Sequence, residues 1–342
     1  MNLLVTGGAG YIGSHAVQRL LADGHRVVVL DNLFRGHSRA LELLGLGSNP
    51  SLSFIRGDVA NPEDVAAAFA VVPLDGVLHF AALAYVGESV EQPLRYANAN
   101  ITGLLRVLDA CERHGVSRFV FSSSCSTYGN PPPGMIPVPE NCPQSPVSPY
   151  GRTKLVGEWI IRDFAAAMRI AGKPFSFTFL RYFNVCGCDS SGLLGEDHTP
   201  ESHIIPILMQ VANGQRPHVE LFGSDYPTPD GTCVRDYVYI EDLIAAHALA
   251  LNNLQPGSEG RAFNVGIGKG YSVREIIEAA RRVTGRPIPI KESSRRAGDA
   301  AMLFNDPSAI QSQLRWSPSV TSIDAMVQTA WAWFSKHPSG YA

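Results

Sequence analysis

Short apolar runs alternate with longer segments of helical period along the first part of the chain. Leu3-Leu4-Val5, Val27-Val28-Val29-Leu30, Leu52-Ser53-Phe54-Ile55, Gly76-Val77-Leu78-His79-Phe80, Arg118-Phe119-Val120-Phe121 and Phe175 to Leu180 read as six strands. Between them lie apolar-periodic helices: Ile12 to Ala22, closed by Asp23-Gly24; one capped by Asn61-Pro62; one from Pro93 to His114-Gly115; and one from near Tyr150 to Ala171-Gly172. Strands alternating with helices predict a parallel sheet covered on both faces, the doubly wound α/β class. In such sheets ligands sit at the carboxyl ends of the strands. Gly7, Asp31, Asp58, Phe80-Ala81, Ser122-Ser123-Ser124 and Arg181-Tyr182-Phe183-Asn184 occupy those ends and are expected to converge on one crevice.

Beyond Asn184 the pattern becomes irregular. Gly187 to Ser202 is polar and loop-like, Ile204 to Asn213 a short helix, Val219 to Phe222 a strand, and Gly223 to Gly231 a loop rich in Pro, Asp and Gly. Tyr237 to Leu251 and Ala262 to Val265 return to strand and helix patterns. Ser272-Val273-Arg274-Glu275 is a capping box, and Asp306-Pro307 and Thr321-Ser322 open two more helices. The expected organisation is a dinucleotide-binding domain over 1–184, rejoined by 236–267, and a smaller mixed α/β substrate domain over 185–235 and 268–342.

The 342 residues, 45% apolar and 17% charged, describe a globular chain with a sizeable core. A formal net charge of −3 gives no nucleic-acid footprint. No apolar run reaches the ~20 residues that span a bilayer, and the N-terminus carries no signal core, so a cytoplasmic protein is expected. The six cysteines are scattered, which predicts reduced, mostly buried thiols. Cys186-Gly187-Cys188 has no second ligand pair at metal spacing, so no metal is expected.

The stretch Thr6-Gly7-Gly8-Ala9-Gly10-Tyr11-Ile12-Gly13 carries the first chemistry. Strand, glycine turn and helix follow in order. Gly7 permits the tight turn, Gly10 close approach to a pyrophosphate, and Gly13 close helix–strand packing, so that the helix N–H groups face the phosphates. The spacing is G-x-x-G-x-x-G rather than the commoner G-x-G-x-x-G. Asp31 ends the second strand at about the expected ~20-residue separation. Its carboxylate can accept both ribose hydroxyls and would repel a 2′-phosphate, favouring NAD over NADP, although Arg35 and His37 downstream leave the phosphate alternative open. Further on, Tyr150 and Lys154 stand at i and i+4 on one helix face. A nearby ammonium lowers the pKa of a phenol, ordinarily ~10. Ser124 at the end of the fifth strand can hydrogen-bond the same substrate oxygen.

On these motifs the chain resembles the extended short-chain dehydrogenase/reductase family, and within it the UDP-glucose 4-epimerases. The resemblance covers nearly the whole chain. It is carried further by His79-Phe80-Ala81-Ala82, Val86-Gly87-Glu88-Ser89, Arg181-Tyr182-Phe183-Asn184, Phe222-Gly223-Ser224-Asp225-Tyr226-Pro227, Arg235-Asp236-Tyr237 and Arg295-Arg296-Ala297-Gly298-Asp299. It implies a Rossmann NAD domain in which Gly7, Gly10, Tyr11, Ile12, Gly13, Asp31, Asn32, Asp58, Val59, Phe80, Ala81, Asn100, Ser122, Tyr150, Lys154 and Phe183 hold the cofactor. Tyr150 would be the base and acid, Lys154 its electrostatic partner and Ser124 the second hydrogen-bonder. Asn184, His203, Ile204, Leu221, Phe222, Arg235, Arg296, Asp299 and Leu303, with Ser124 and Tyr150, would bind a UDP-sugar. Guanidinium forks suit a diphosphate and a carboxylate suits a ribose. The residues alone leave Arg235 open to pairing with Asp236 or Asp230, and Arg296 with Asp299 or Glu292. Three positions matter against the pattern, one of them Leu303, four residues past Asp299, where the resemblance implies that the family varies and gates substrate size. Ala84 stands where lysine is frequent, and Ser202-His203-Ile204-Ile205 replaces an Asn-Asn-Leu pattern, so the uridine contact would come from His203 or from backbone. Cys125-Ser126 stands where the related dehydratases and decarboxylases carry carboxylates. The resemblance implies 4-epimerisation of UDP-glucose and UDP-galactose, with UDP-pentose or UDP-N-acetylhexosamine as alternative substrates, and a homodimer built from the helices Pro93 to His114 and Tyr150 to Ala171.

Overall fold

The structure is a computed structural model that describes residues 1–296 and 299–342. The chain divides into two compact units, one of 1–129, 144–181 and 244–263, the other of 130–143, 182–243 and 264–342.

The first unit is built on a seven-stranded sheet. Six of its strands are β1 (Asn2–Thr6), β2 (Arg26–Asp31), β3 (Leu52–Arg56), β4 (Gly76–His79), β5 (Arg118–Ser122) and β6 (Ser176–Tyr182). They lie in the order β6-β5-β4-β1-β2-β3, every neighbouring pair parallel, and the strand Arg261–Val265 completes the sheet beside β6. Ala262 to Val265 thus joins the main sheet as the sequence predicts. The strand Val234–Tyr239 does not; it enters a separate four-stranded sheet. The order reverses between β1 and β4, and at such a switch point the two chains leaving the strands part to opposite faces and open a crevice. Leu3, Leu4, Val5 and Val27 to Leu30 are fully buried, because helices cover both faces and alternation has no polar side to serve.

Two helices need particular comment. Pro149–Ile170 starts where Ser148 Oγ accepts from the Gly151 N–H at 3.1 Å, with Pro149 in the first turn. Tyr150, Lys154, Glu158, Ile161, Ala165 and Met168 form its buried stripe, the i, i+4 rows that a 3.6 period aligns. The stretch expected as one long helix from Pro93 is interrupted. Pro93–Ala97 and Gly103–His114 are separated by a π-helical turn over Asn98–Thr102. The extra residue per turn re-aims the middle side chain, Asn100, and such turns recur at functional sites. Hydropathy could not show this, because one inserted residue shifts the period too little to be seen in a short window.

The second unit holds the strands Asn184–Cys186, Val234–Tyr239, Gly270–Ser272 and Met302–Leu303 in one small sheet, and Val219–Phe222 with Ile290–Ser293 in another. The capping box is present: Ser272 Oγ accepts from the Glu275 N–H at 3.1 Å and Glu275 Oε2 from the Ser272 N–H at 2.7 Å. All six cysteines are buried, with no disulfide among the described residues.

A buried ion pair fixes the first unit. Arg181 on β6 holds Glu158 through Nε–Oε1 at 2.9 Å and Nη2–Oε2 at 2.6 Å, with both side chains almost fully enclosed. Removing one partner of such a pair strands the other charge, which costs about 3–5 kcal/mol. Glu158→Gln and Arg181→Met are each expected to lose stability of that order in urea denaturation, with Glu158→Gln milder because the amide still accepts one bond. An unchanged unfolding midpoint in Arg181→Met would show that the pair contributes nothing.

Candidate functional site

In the first unit the glycine turn is set by steric necessity. Gly7 has φ of +72°, and a Cβ there would lie 2.7 Å from the Ala81 nitrogen, so the turn packs directly on the exit of β4. A Cβ on Gly13 would lie 2.0 Å from the Gly7 carbonyl oxygen. The helix Tyr11–Ala22 therefore starts hard against the turn, with Gly10 at its N-cap position. Its first N–H groups and dipole end are directed at what occupies the turn.

Asp31 ends β2 and is 8% exposed. Its Oδ2 accepts from the Ala9 N–H at 3.0 Å and its Oδ1 from the Leu33 N–H at 2.8 Å, so it also ties β2 to the glycine turn. Burial raises its pKa, and the two backbone donors oppose that rise. Asn32 Nδ2 donates to Asp58 Oδ2 at 2.9 Å, bringing the ends of β2 and β3 together, and Val59 is buried beside them. Arg35, the residue that kept a 2′-phosphate in play, pairs with Glu88 at 3.0 Å and lies over the Phe34 and Tyr85 rings.

The π-turn puts Asn100 to work. Its Oδ1 accepts from the Leu83 N–H at 2.8 Å, and its Nδ2 donates to the Leu83 carbonyl at 3.0 Å and to Thr153 Oγ1 at 2.9 Å. One side chain thus ties the segment after β4 to the helix bearing Tyr150. Phe80 packs on His247 at 4.8 Å between ring centroids, and Ser122 Oγ is 3.1 Å from His247 Nε2. His247 is a residue the sequence reading did not single out; a lone histidine in an apolar helix carries no motif.

Lys154 is 3% exposed. Its Nζ donates to the Ser122 carbonyl at 2.7 Å and lies 5.9 Å from the centre of the Tyr150 ring and 5.1 Å from that of Phe121. Burial pushes its pKa down to about 7. Burial, then the Lys154 charge, push His79 down to about 3. Ser124 Oγ accepts from the Ser126 N–H at 3.1 Å, which leaves its hydroxyl hydrogen to donate elsewhere. Behind it, Ser123 Oγ donates to Glu158 Oε1 at 2.6 Å, and Arg181 Nη1 donates to the Tyr128 hydroxyl at 2.9 Å. Tyr150, Lys154 and Glu158 follow at four-residue intervals, a spacing that would have exposed Glu158 in the sequence.

In the second unit, Asp299 joins the two candidate arginines. Arg296 Nε lies 3.1 Å from its Oδ2 and Arg235 Nη2 3.7 Å from its Oδ1. The Arg296 guanidinium lies 4.9 Å over the Phe222 ring. Of the pairings left open by sequence, Arg296 takes Asp299, while Arg235 takes neither neighbour. Asp236 turns inward to accept from the N–H groups of Ile267, Gly268 and Asn305, and Asp230 accepts from Thr232 and Ser272. Leu303 stands in register with Arg235 across parallel strands and is 8% exposed. An open cavity of about 470 Å³ adjoins this group, lined by Asn130, Tyr226, Arg295, Asp299 and Met302 among others. Phe222, Arg235, Arg296, Asp299 and Leu303 are therefore brought together. Leu221 and Phe183 are buried, Asn184 sits in register with Tyr237, and Ile204 opens the helix Ile204–Ala212. His203, at that helix's N-cap, has its Nδ1 2.9 Å from Glu196 Oε1 and 3.1 Å from Glu201 Oε1. Ala297 and Gly298 of the arginine motif lie outside the described residues.

The family model for the NAD dependent epimerase/dehydratase family matches residues 3–266. The chain belongs to that family. NAD is thus its cofactor, and the glycine cradle, buried Asp31 and Lys154 fit that dinucleotide. A UDP-glucose 4-epimerase from Halalkalibacterium halodurans is 45% identical, the match covering all of this chain and 98% of that one. A probable UDP-arabinose 4-epimerase 1 from Oryza sativa is 44% identical over 99% of this chain and 81% of that one. The crystal structure of the Bifidobacterium longum UDP-glucose 4-epimerase in complex with NAD+ and UDP superposes with a TM-score of 0.93 at 36% identity, covering 99% and 100% of the two chains.

The depressed pKa of Lys154 links family membership to a measurable pH effect. Its unfolded value, ~10.4, lies above the folded value of about 7. The folded chain therefore binds fewer protons between those limits, so stability rises with pH through that window and the gain is lost as pH falls through 7. In protein stripped of dinucleotide, the urea midpoint is expected to rise between pH 7 and 9.5 by more in wild type than in Lys154→Met. Equal slopes would show that Lys154 does not titrate in this window.

Proposed function

We infer that this chain interconverts UDP-glucose and UDP-galactose by reversible 4-epimerisation. The observation that carries the reading is the Lys154 ammonium, buried one helical turn from Tyr150 on the helix that faces the end of β5. Tyr150 takes the proton from the sugar 4-hydroxyl and later returns it. Lys154 stabilises the phenolate and, by its charge, opposes protonation of nearby groups such as His79. Ser124 donates its unused hydroxyl hydrogen to the same sugar oxygen. The bound dinucleotide supplies acceptance and return of the C4 hydride. Between the two proton transfers at Tyr150 the 4-keto sugar would turn over within the pocket and present its second face. Arg235 and Arg296 grip the diphosphate, Asp299 orients both guanidinium groups and meets the uridine ribose, and Phe222 packs on uracil. Asp31, Asn32, Asp58, Val59, Phe80, Ala81, Asn100, Ser122 and Phe183 hold the dinucleotide.

A second reading has its own support: the Oryza sativa relative, a probable UDP-arabinose 4-epimerase, is nearly as similar as the Halalkalibacterium halodurans UDP-glucose 4-epimerase. UDP-xylose and UDP-arabinose differ from the hexose pair only at C6. Separating the products from UDP-galactose, its N-acetyl analogue and UDP-xylose decides between the readings. Among the described residues no helix is long and apolar enough to cross a membrane. Leu94, 84% exposed, Leu105, Trp159 and Ile170, 90% exposed, lie on the two helical segments expected to build a homodimer, and their apolar exposure supports that assembly.

Two outcomes test these roles. Tyr150→Phe removes the proton acceptor and little volume, so turnover should fall ~10²–10⁴-fold with substrate binding retained; wild-type turnover in a folded variant would refute the assignment. By the family resemblance, Leu303 is proposed to stand at the wall that limits sugar rotation. Relative kcat/KM for the N-acetylated and plain hexose pairs should rise in Leu303→Ala and collapse in Leu303→Tyr. A common ratio across wild type and both variants would assign Leu303 to packing.

A further inference from the structure

Glu196, His198, Glu201 and His203 present one donor atom each, all within 4.8 Å of one another, in the loop that precedes the helix Ile204–Ala212. The sequence reading expected no metal because it weighed only the cysteines. The signal it passed over is a doubled E-x-H, Glu196-Asp197-His198 and Glu201-Ser202-His203, repeating after five residues.

We propose that these four side chains form a binding site for a divalent cation of the zinc class. The two carboxylates are the strongest reason. Their side chains are 4% and 2% exposed, and two buried like charges sharing one site need positive charge beside them, which a metal ion would supply in place of the protonated His198 and His203 rings that otherwise pair with them. Both histidines offer Nδ1 to that point. His198 Nδ1 lies 3.3 Å from Glu196 Oε1 and 3.5 Å from Glu201 Oε2, while His203 Nδ1 lies 2.9 and 3.1 Å from Glu196 Oε1 and Glu201 Oε1. Ligands bound tetrahedrally at ~2.0–2.1 Å stand about 3.3 Å apart along each edge. The observed N···O separations scatter around that edge, with His198 and His203 meeting different oxygens of Glu201 and the donor set spread over as much as 4.8 Å, so the side chains must draw in to complete the coordination. Two imidazoles and two carboxylates form a nitrogen–oxygen set suited to zinc rather than to calcium or magnesium. Glu201 Oε1 also accepts from the Ser202 and His203 N–H groups at 2.7 Å each, which orients the ligand as outer-sphere bonds do in metal sites. Four protein ligands leave no open position, the arrangement of a structural ion. The ion clamps the loop onto the start of the helix. It also occupies the His203 ring, which leaves the backbone to make any uridine contact at this position.

The test uses the full chain with its dinucleotide bound, stripped of metal with a chelator and desalted. Zinc is titrated against a chromophoric competitor, and cobalt is added separately as a spectroscopic probe. The expected results are one zinc per chain, a raised unfolding temperature with zinc, and the intense visible bands of four-coordinate cobalt. His198→Ala and Glu196→Gln should each weaken zinc by more than the ~10–100-fold that outer-sphere changes cost. Absence of saturable zinc binding, or unchanged affinity in both variants, would overturn the site. Should either variant fail to fold, the wild-type cobalt spectrum still decides: weak six-coordinate bands reject the four-ligand assignment.

Discussion

Arg181 and Glu158 are the constraint on which the first unit's chemistry depends. A guanidinium and a carboxylate, both nearly dry, are tolerable only if every lone pair and hydrogen finds a partner. The structure meets that demand by recruiting Ser123, Tyr128 and Gln144 around the pair. The consequence is geometric. β5, β6, the Pro149–Ile170 helix and the turn after Ser124 are all pinned to one point. Ser124 and Tyr150 are the neighbours of pinned residues, so their relative position follows from a network that takes no part in proton transfer.

Above that foundation the site works by controlled desolvation. Lys154 is buried without a carboxylate to neutralise it, which is why its pKa falls to about 7. Its Nζ donates to the Ser122 backbone carbonyl, and a carbonyl supports an ammonium less well than an ion pair does. A lysine held this way is poised to respond to any negative charge that forms beside it, and a phenolate on Tyr150 is such a charge. Asp31 is the mirror case. It is buried, its pKa is raised, and two backbone donors restrain the rise. Both groups are costly in isolation and become favourable when a polar ligand joins them, the usual signature of a binding site rather than of a stabilising core.

Much of this was legible in the residues. Unbroken apolar runs and glycine punctuation defined the sheet, because fully buried parallel strands and tight turns permit few other residues. Tyr150 and Lys154 were visible because i, i+4 spacing is a helix property. What remained hidden depends on partners distant in sequence. Arg235 looked ready to pair with Asp236 or Asp230, yet strand alternation sends Asp236 inward to three backbone donors and leaves Asp299, sixty-odd residues on, as the partner. Glu158 shares the i, i+4 row of Tyr150 and Lys154, but the charge it meets, Arg181, comes from β6 and is not visible along the helix. The π-turn at Asn100 escaped because it alters backbone geometry without altering the hydrophobic pattern.

The second unit ties two of the proposed substrate contacts to one small sheet. Arg235 and Leu303 are register partners on parallel strands, so the group proposed to grip a diphosphate and the residue proposed to limit the sugar cannot move independently. Asp299 sits just before the Met302–Leu303 strand and braces Arg235 and Arg296 together. An exposed ion pair of this kind adds little to stability, and Arg296 is half exposed, so stability does not explain the arrangement. Preorganisation does: two flexible guanidinium groups held by one carboxylate lose less entropy when a diphosphate arrives. Because residue 303 is tied to Arg235 across one strand pair, a substitution there is expected to be felt at the Arg235 guanidinium as well as at residue 303 itself.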